Sequence, residues 1–128
     1  KVDFLVGFEM LEAGRWSLYL KKDSSVIVNR YRIPPPAVNL GKAVYPKEEE
    51  IESMLKTIAD RVLWIDAMKI AQDLGNPAVA GVVLLGVLSS QVGGSAEAWL
   101  KVVERLVPAK FQELNNKAFL AGRQAAAS

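Results

Sequence analysis

Apolar positions along the chain fall into two kinds of pattern. Three short runs, Val2 to Val6, Ser25 to Asn29 and Arg61 to Ile65, are rich in β-formers and show no clean alternation with polar residues. Strands buried on both faces read this way, which is the habit of parallel sheets. The remaining apolar residues keep a helical spacing. Phe8 to about Leu20 carries Met10, Leu11, Trp16, Leu18 and Leu20, and Lys21-Lys22-Asp23-Ser24 reads as the turn that follows. Glu48-Glu49-Glu50 opens a second helix, where negative charge suits the dipole, and Ile51, Met54, Leu55 and Ile58 form its apolar stripe. Asp66 stands where it would cap a helix from Ala67 to Leu74, with Gly75 in the left-handed position that ends it.

After Gly75 every predicted element is helical. Asn76-Pro77 suits a cap and first turn, and the helix it opens, reaching about Ser90, is apolar nearly all round. Gly93-Gly94 breaks the chain. Ser95 caps a helix carrying Trp99, Val103 and Leu106, and Pro108 opens the last, which fades into Ala125-Ala126-Ala127. Between Arg30 and Tyr45 lies an irregular segment centred on Pro34-Pro35-Pro36, which is neither helix nor interior strand; Ala43-Val44-Tyr45 reads as a short edge strand. The order of elements predicts an α/β fold, a three-layer sandwich with a mainly parallel sheet and a helix-rich C-terminal half. Residues 1–128 read as a single domain. Few strands, and a first one that opens the chain, lead us to expect the C-terminal portion of a larger α/β domain.

Composition narrows the chemistry. Half the chain is apolar (51%) and 23% is charged, the profile of a globular protein. Sixteen basic against fourteen acidic residues leave a net charge of +2, which suggests neither a nucleic-acid nor a membrane-surface partner. The chain has no cysteine, hence no thiol nucleophile or cysteine-held metal, and no histidine, hence no imidazole base. The longest apolar run, Ala78 to Leu88, falls short of the roughly 18 residues of a membrane span. The expected location is cytoplasmic.

No G-x-G-x-x-G fingerprint or phosphate loop is present. Gly93-Gly94 before a capped helix reads as an anion site or as an ordinary helix–helix turn. Asn115-Asn116 resembles the asparagine pair of thiamine-diphosphate sites, but no Gly-Asp-Gly precedes it, and the plainer reading is surface asparagine. Glu9 and Asp66 follow the first and third strands, where ligands of parallel sheets gather; both also suit helix N-termini. Asn29, Arg30 and Arg32 beside Pro34 are either an orienting patch for a ligand or partner, or solvated groups on a stiff connector. The candidate contact residues are Glu9, Asn29, Arg30, Arg32, Pro34 and Asn76; none is read as catalytic or metal-binding.

The residues Val6-Gly7-Phe8-Glu9-Met10-Leu11-Glu12-Ala13 resemble the strand-to-helix signature of the small (beta) subunit of indolepyruvate ferredoxin oxidoreductases. Val28-Asn29, Arg32-Ile33-Pro34-Pro35, Tyr45-Pro46, Leu74-Gly75-Asn76-Pro77 and Asn116-Lys117-Ala118-Phe119 continue the likeness in order. The wider family is the gamma-type domain of 2-oxoacid ferredoxin oxidoreductases. Its earlier Gly-Gly-Gln-Gly loop and later Arg-Gly-Gly segment have no counterpart here, so no cofactor-binding residue is assigned. The resemblance implies an accessory subunit that carries no cofactor and is inactive alone. It also implies a large catalytic subunit with thiamine diphosphate, Mg²⁺ and iron–sulfur clusters. That complex would decarboxylate an aryl pyruvate such as indolepyruvate, form an acyl-coenzyme A and pass electrons to ferredoxin. A second copy of the chain is a further candidate partner. The competing readings are a stand-alone nucleotide- or coenzyme A-binding module and a structural dimerisation domain.

Overall fold

Each of the three apolar runs forms a strand in the structure, a computed structural model that describes residues 1–128. They are β1 (Val2–Gly7), β2 (Leu20–Asn29) and β3 (Arg61–Ile65). The sheet is parallel with order β1-β2-β3, so the fold is α/β as expected, with a helix-rich C-terminal half. Contacts gather into two compact units, Lys1–Trp64 and Ile65–Ser128.

The first crossover departs from the sequence reading. Helix α1 (Met10–Arg15) gives way to a 3₁₀ turn over Trp16–Tyr19 and does not reach Leu20. Leu20 is instead the first residue of β2, buried opposite Val2. Lys21-Lys22-Asp23-Ser24, expected as a turn, belongs to β2. The register steps from Val2↔Leu20 to Phe4↔Ser25, so these residues form a bulge that β1 does not match. Buried Ser24 closes it: its hydroxyl donates to the Val2 carbonyl at 2.7 Å and accepts the Lys21 N–H at 2.8 Å. The turn chemistry is real, but it sits inside a strand.

Helix α2 (Pro36–Asn39) is a single turn within the proline-rich segment, and α3 (Glu48–Lys56) begins at the three glutamates. Met10 and Ala13 of α1 pack with Leu20, Val26 and Val28 of β2 and Ile51 and Leu55 of α3 in one core. Of the expected stripe on α3, Met54 remains 42% exposed. Gly7 lets the end of β1 meet α1, since a Cβ there would lie 2.5 Å from that of Ala13. Ala43-Val44-Tyr45 pairs with no strand, against expectation.

The second unit holds α4 (Ala67–Asp73), α5 (Ala80–Val92), α6 (Ala96–Leu106) and α7 (Gln112–Ala127). Asp66 occupies the N-cap position of α4, but its carboxylate makes no capping bond. The apolar α5 buries Val83, Leu84 and Val87. It crosses α7 at Gly86 and Gly122, where a Cβ would lie 2.1 Å from the Phe119 carbonyl oxygen and 1.9 Å from that of Val83. Phe119 is fully buried and stacks on Trp99 at 6.3 Å. Helix α7 continues through the alanine tail, whose residues are the best helix formers. No helix is long and apolar enough to cross a membrane.

Candidate functional site

A helix leaves its first N–H groups without partners, and a short helix cannot spare them. At α1 they are satisfied from two directions. Glu9, the N-cap residue, accepts the Glu12 N–H through Oε1 at 2.8 Å. The other two bonds come from the segment after β2: Met10 N–H donates to the Tyr31 carbonyl at 2.9 Å, and Leu11 N–H donates to the Tyr45 hydroxyl at 3.0 Å.

The same carboxylate fastens that segment. Its Oε2 accepts the Ile33 N–H at 3.0 Å and a short hydrogen bond from the Tyr45 hydroxyl. Glu9 is only 6% exposed. Burial pushes its pKa up, but the hydrogen bonds from Tyr45, Ile33 and Glu12 outweigh that and hold it below its ordinary value. Burial, and then the bond to Glu9, push the Tyr45 phenol up to about 12. Glu9 is therefore an ionised structural anchor near neutral pH, with its oxygens already engaged.

Four of the other candidate residues, Asn29, Arg30, Arg32 and Pro34, lie in the first unit with this anchor. Buried Asn29 donates from Nδ2 to the Phe8 carbonyl at 3.2 Å, tying the end of β2 to the residue after β1. Arg30 pairs through Nε with Glu48 at 3.0 Å and lies over the Trp64 ring at 5.7 Å. The Arg32 guanidinium stacks 4.4 Å from the centre of the Tyr45 ring. Pro34 lines a cleft of about 290 Å³ together with Glu9, Leu11, Arg15 and Ile33. Asn76 lies in the second unit and caps the 3₁₀ turn Pro77–Val79 by accepting the Ala78 N–H at 2.9 Å.

Tyr45 is the residue that sequence reasoning placed wrongly. Read as part of an edge strand, it is the hub between Glu9, Leu11 and Arg32. An isolated tyrosine before a proline carries no local signal of a carboxylate 36 residues away. Gly93-Gly94 forms a helix–helix turn with φ of 104° and 89°; Ser95 caps α6, and Trp99 Nε1 donates to the Gly93 carbonyl at 2.9 Å. The asparagine pair is engaged on its own helical surroundings: Asn115 donates to the Phe111 carbonyl and Asn116 to Glu104.

This scaffold is built to hold a loop rigidly beside the end of a parallel strand. Residues 1–125 match the family described as pyruvate ferredoxin/flavodoxin oxidoreductase, and the chain belongs to that family. Among curated relatives it is 40% identical over 129 residues to the indolepyruvate oxidoreductase subunit IorB of Pyrococcus horikoshii, and 36% identical over 129 residues to that of Thermococcus kodakarensis. Both alignments cover 98% of this chain and 64% of the relative, so the chain spans just under two-thirds of their length. Among solved structures it matches the gamma subunit of a keto/oxoacid ferredoxin oxidoreductase from Geobacter sulfurreducens. That match has a TM-score of 0.70 and 26% identity, and covers 98% of this chain and 64% of that one.

Proposed function

We propose that this chain is an accessory part of a 2-oxoacid ferredoxin oxidoreductase acting on aryl pyruvates such as indolepyruvate. The observation that carries the proposal is the 40% identity to a subunit of indolepyruvate oxidoreductase across nearly the whole chain. Its work is to bind and position; a larger subunit carries out oxidative decarboxylation, forms the acyl-coenzyme A and passes electrons to ferredoxin. Thiamine diphosphate, Mg²⁺ and iron–sulfur clusters belong to that partner. The residues of this chain do not fit those groups: it has no cysteine to ligate a cluster and no set of three acidic side chains placed for a metal. The Nδ2 groups of its asparagine pair donate to Phe111 and Glu104, and Asn116 Oδ1, buried without a partner, is a lone neutral oxygen with no cluster of carboxylates to complete a metal site. The two units together are then one portion of a gamma-type domain.

Co-expressed with the large subunit of an indolepyruvate ferredoxin oxidoreductase from the same organism, the protein is expected to co-purify with it. The pair should reduce a viologen dye with indolepyruvate and coenzyme A. The isolated chain is expected to be colourless and inactive. A brown isolated chain, or one that oxidises the ketoacid unaided, overturns the division of labour; failure of the two products to associate overturns the subunit reading.

A further inference from the structure

No acidic residue lies between Asp23 and Glu48, whereas Arg30, Arg32, Lys42 and Lys47 are all basic. Arg30 is engaged by Glu48, but Arg32 and Lys42 form no ion pair. The same stretch brings Ile33, Leu40 and Val44 to the surface, 61%, 68% and 90% exposed. Single exposed apolar side chains are ordinary. What sets these apart is the fixed backbone that presents them.

The segment is anchored at both ends and knotted in the middle. Tyr31, Ile33 and Tyr45 are bonded to Met10 and Glu9, as described above. Between them, Pro36 opens α2 in the favoured first position, and Gly41, at φ 73°, closes it. Gly41 N–H donates to the Val38 carbonyl at 3.0 Å and Lys42 N–H to the Ala37 carbonyl at 2.8 Å, the paired bonds of a Schellman ending. Three consecutive prolines restrict the approach to this turn further. The entropy of ordering the segment is thus met inside the free chain, and little remains to be lost on binding.

We propose that residues Arg30–Lys47 form a preformed docking arm for an acidic surface with an apolar centre on the larger subunit of the oxidoreductase. The proposal rests on the subunit reading above and adds the surface and its chemistry. Arg32 and Lys42, which no ion pair neutralises, select an acidic face, while Ile33, Leu40 and Val44 supply the water-excluding centre that protein interfaces require. A nucleic-acid backbone would match the cations but leave those apolar groups without partners.

The test uses the full-length small subunit and the large subunit, purified separately and titrated at about 0.1 M salt, where exposed charges still act over roughly 10 Å. Two double variants probe the two parts of the surface, Lys42→Glu with Lys47→Gln, which spares the Arg32–Tyr45 stacking, and Leu40→Ser with Val44→Ser. Each is expected to weaken association about tenfold or more while leaving the far-ultraviolet spectrum and melting profile intact. Wild-type affinity should fall with added salt more steeply than that of the charge variant. Equal affinity of wild type and both variants overturns the arm alone. No binding by wild type overturns the subunit reading and the arm with it. Loss of self-association, or of duplex DNA binding, with subunit binding intact would also overturn it, reassigning the arm to a second copy or to nucleic acid.

Discussion

Replacing Tyr45 by phenylalanine deletes one oxygen that makes two hydrogen bonds, donated to the Glu9 carboxylate and accepted from Leu11 N–H. The ring and its contact with Arg32 remain. A hydrogen bond to a charged group contributes about 1.5–3 kcal/mol net, and an orphaned, partly buried N–H adds to the loss, so about 2–3 kcal/mol is expected. For a chain of this size that corresponds to a fall in Tm of roughly 6–12 °C. The pH dependence follows the direction of the Glu9 shift. Because its folded pKa is depressed, Glu9 contributes stability that is present above the unfolded value and lost as pH falls through the folded one. Without the Tyr45 donor, burial is opposed only by backbone N–H groups, so the folded pKa rises and the acid limb moves to higher pH. Thermal melts followed by circular dichroism from pH 7 to pH 3 read both effects. A variant that melts within a degree of wild type at pH 7, with an unshifted acid limb, refutes the anchor.

Other substitutions test other parts of the fold. Gly122→Ala drives a Cβ into the Val83 carbonyl oxygen, 1.9 Å away, and neither backbone can yield cheaply; urea melts should show a loss of about 3 kcal/mol or more. Ser24→Ala removes the hydroxyl that closes the β2 bulge and strands the Val2 carbonyl and Lys21 N–H, costing about 1–3 kcal/mol in the same assay. Asn76→Ala removes one capping bond at an exposed turn and should cost about 1 kcal/mol, with no effect on association with the large subunit. A loss of association there would move the contact surface to the second unit.

The parts of this architecture legible in the sequence are those set by neighbours along the chain. Apolar runs located all three strands, and Asn76, Ser95 and the glutamates before Ile51 marked helix starts from local hydrogen-bonding chemistry and dipole preference. Glu9 was readable as an N-terminal carboxylate for the same reason. The misplaced parts depend on pairing across the sheet or on distant contacts. Lys21 to Ser24 has the composition of a turn and behaves locally as one; only its register against Val2 and Phe4 makes it a strand bulge. Met54 fits the helical stripe by spacing, yet its place at the margin of the core leaves it half open. Tyr45 was invisible as a hub because its partner is a single carboxylate with no periodic signature.

The coupling of α1 to the arm also constrains the order in which the protein assembles. A helix of six residues has almost no stability of its own, since its nucleation cost is never recovered by so few internal bonds. Its Met10 and Leu11 N–H groups find partners only after β2 has formed and the chain has travelled on to Tyr31 and Tyr45. The earliest helix in the sequence is therefore among the later elements to become protected. Helix and arm then form one cooperative unit, and the Met10 and Leu11 amides should exchange with solvent deuterium together, at the rate at which the arm lets go.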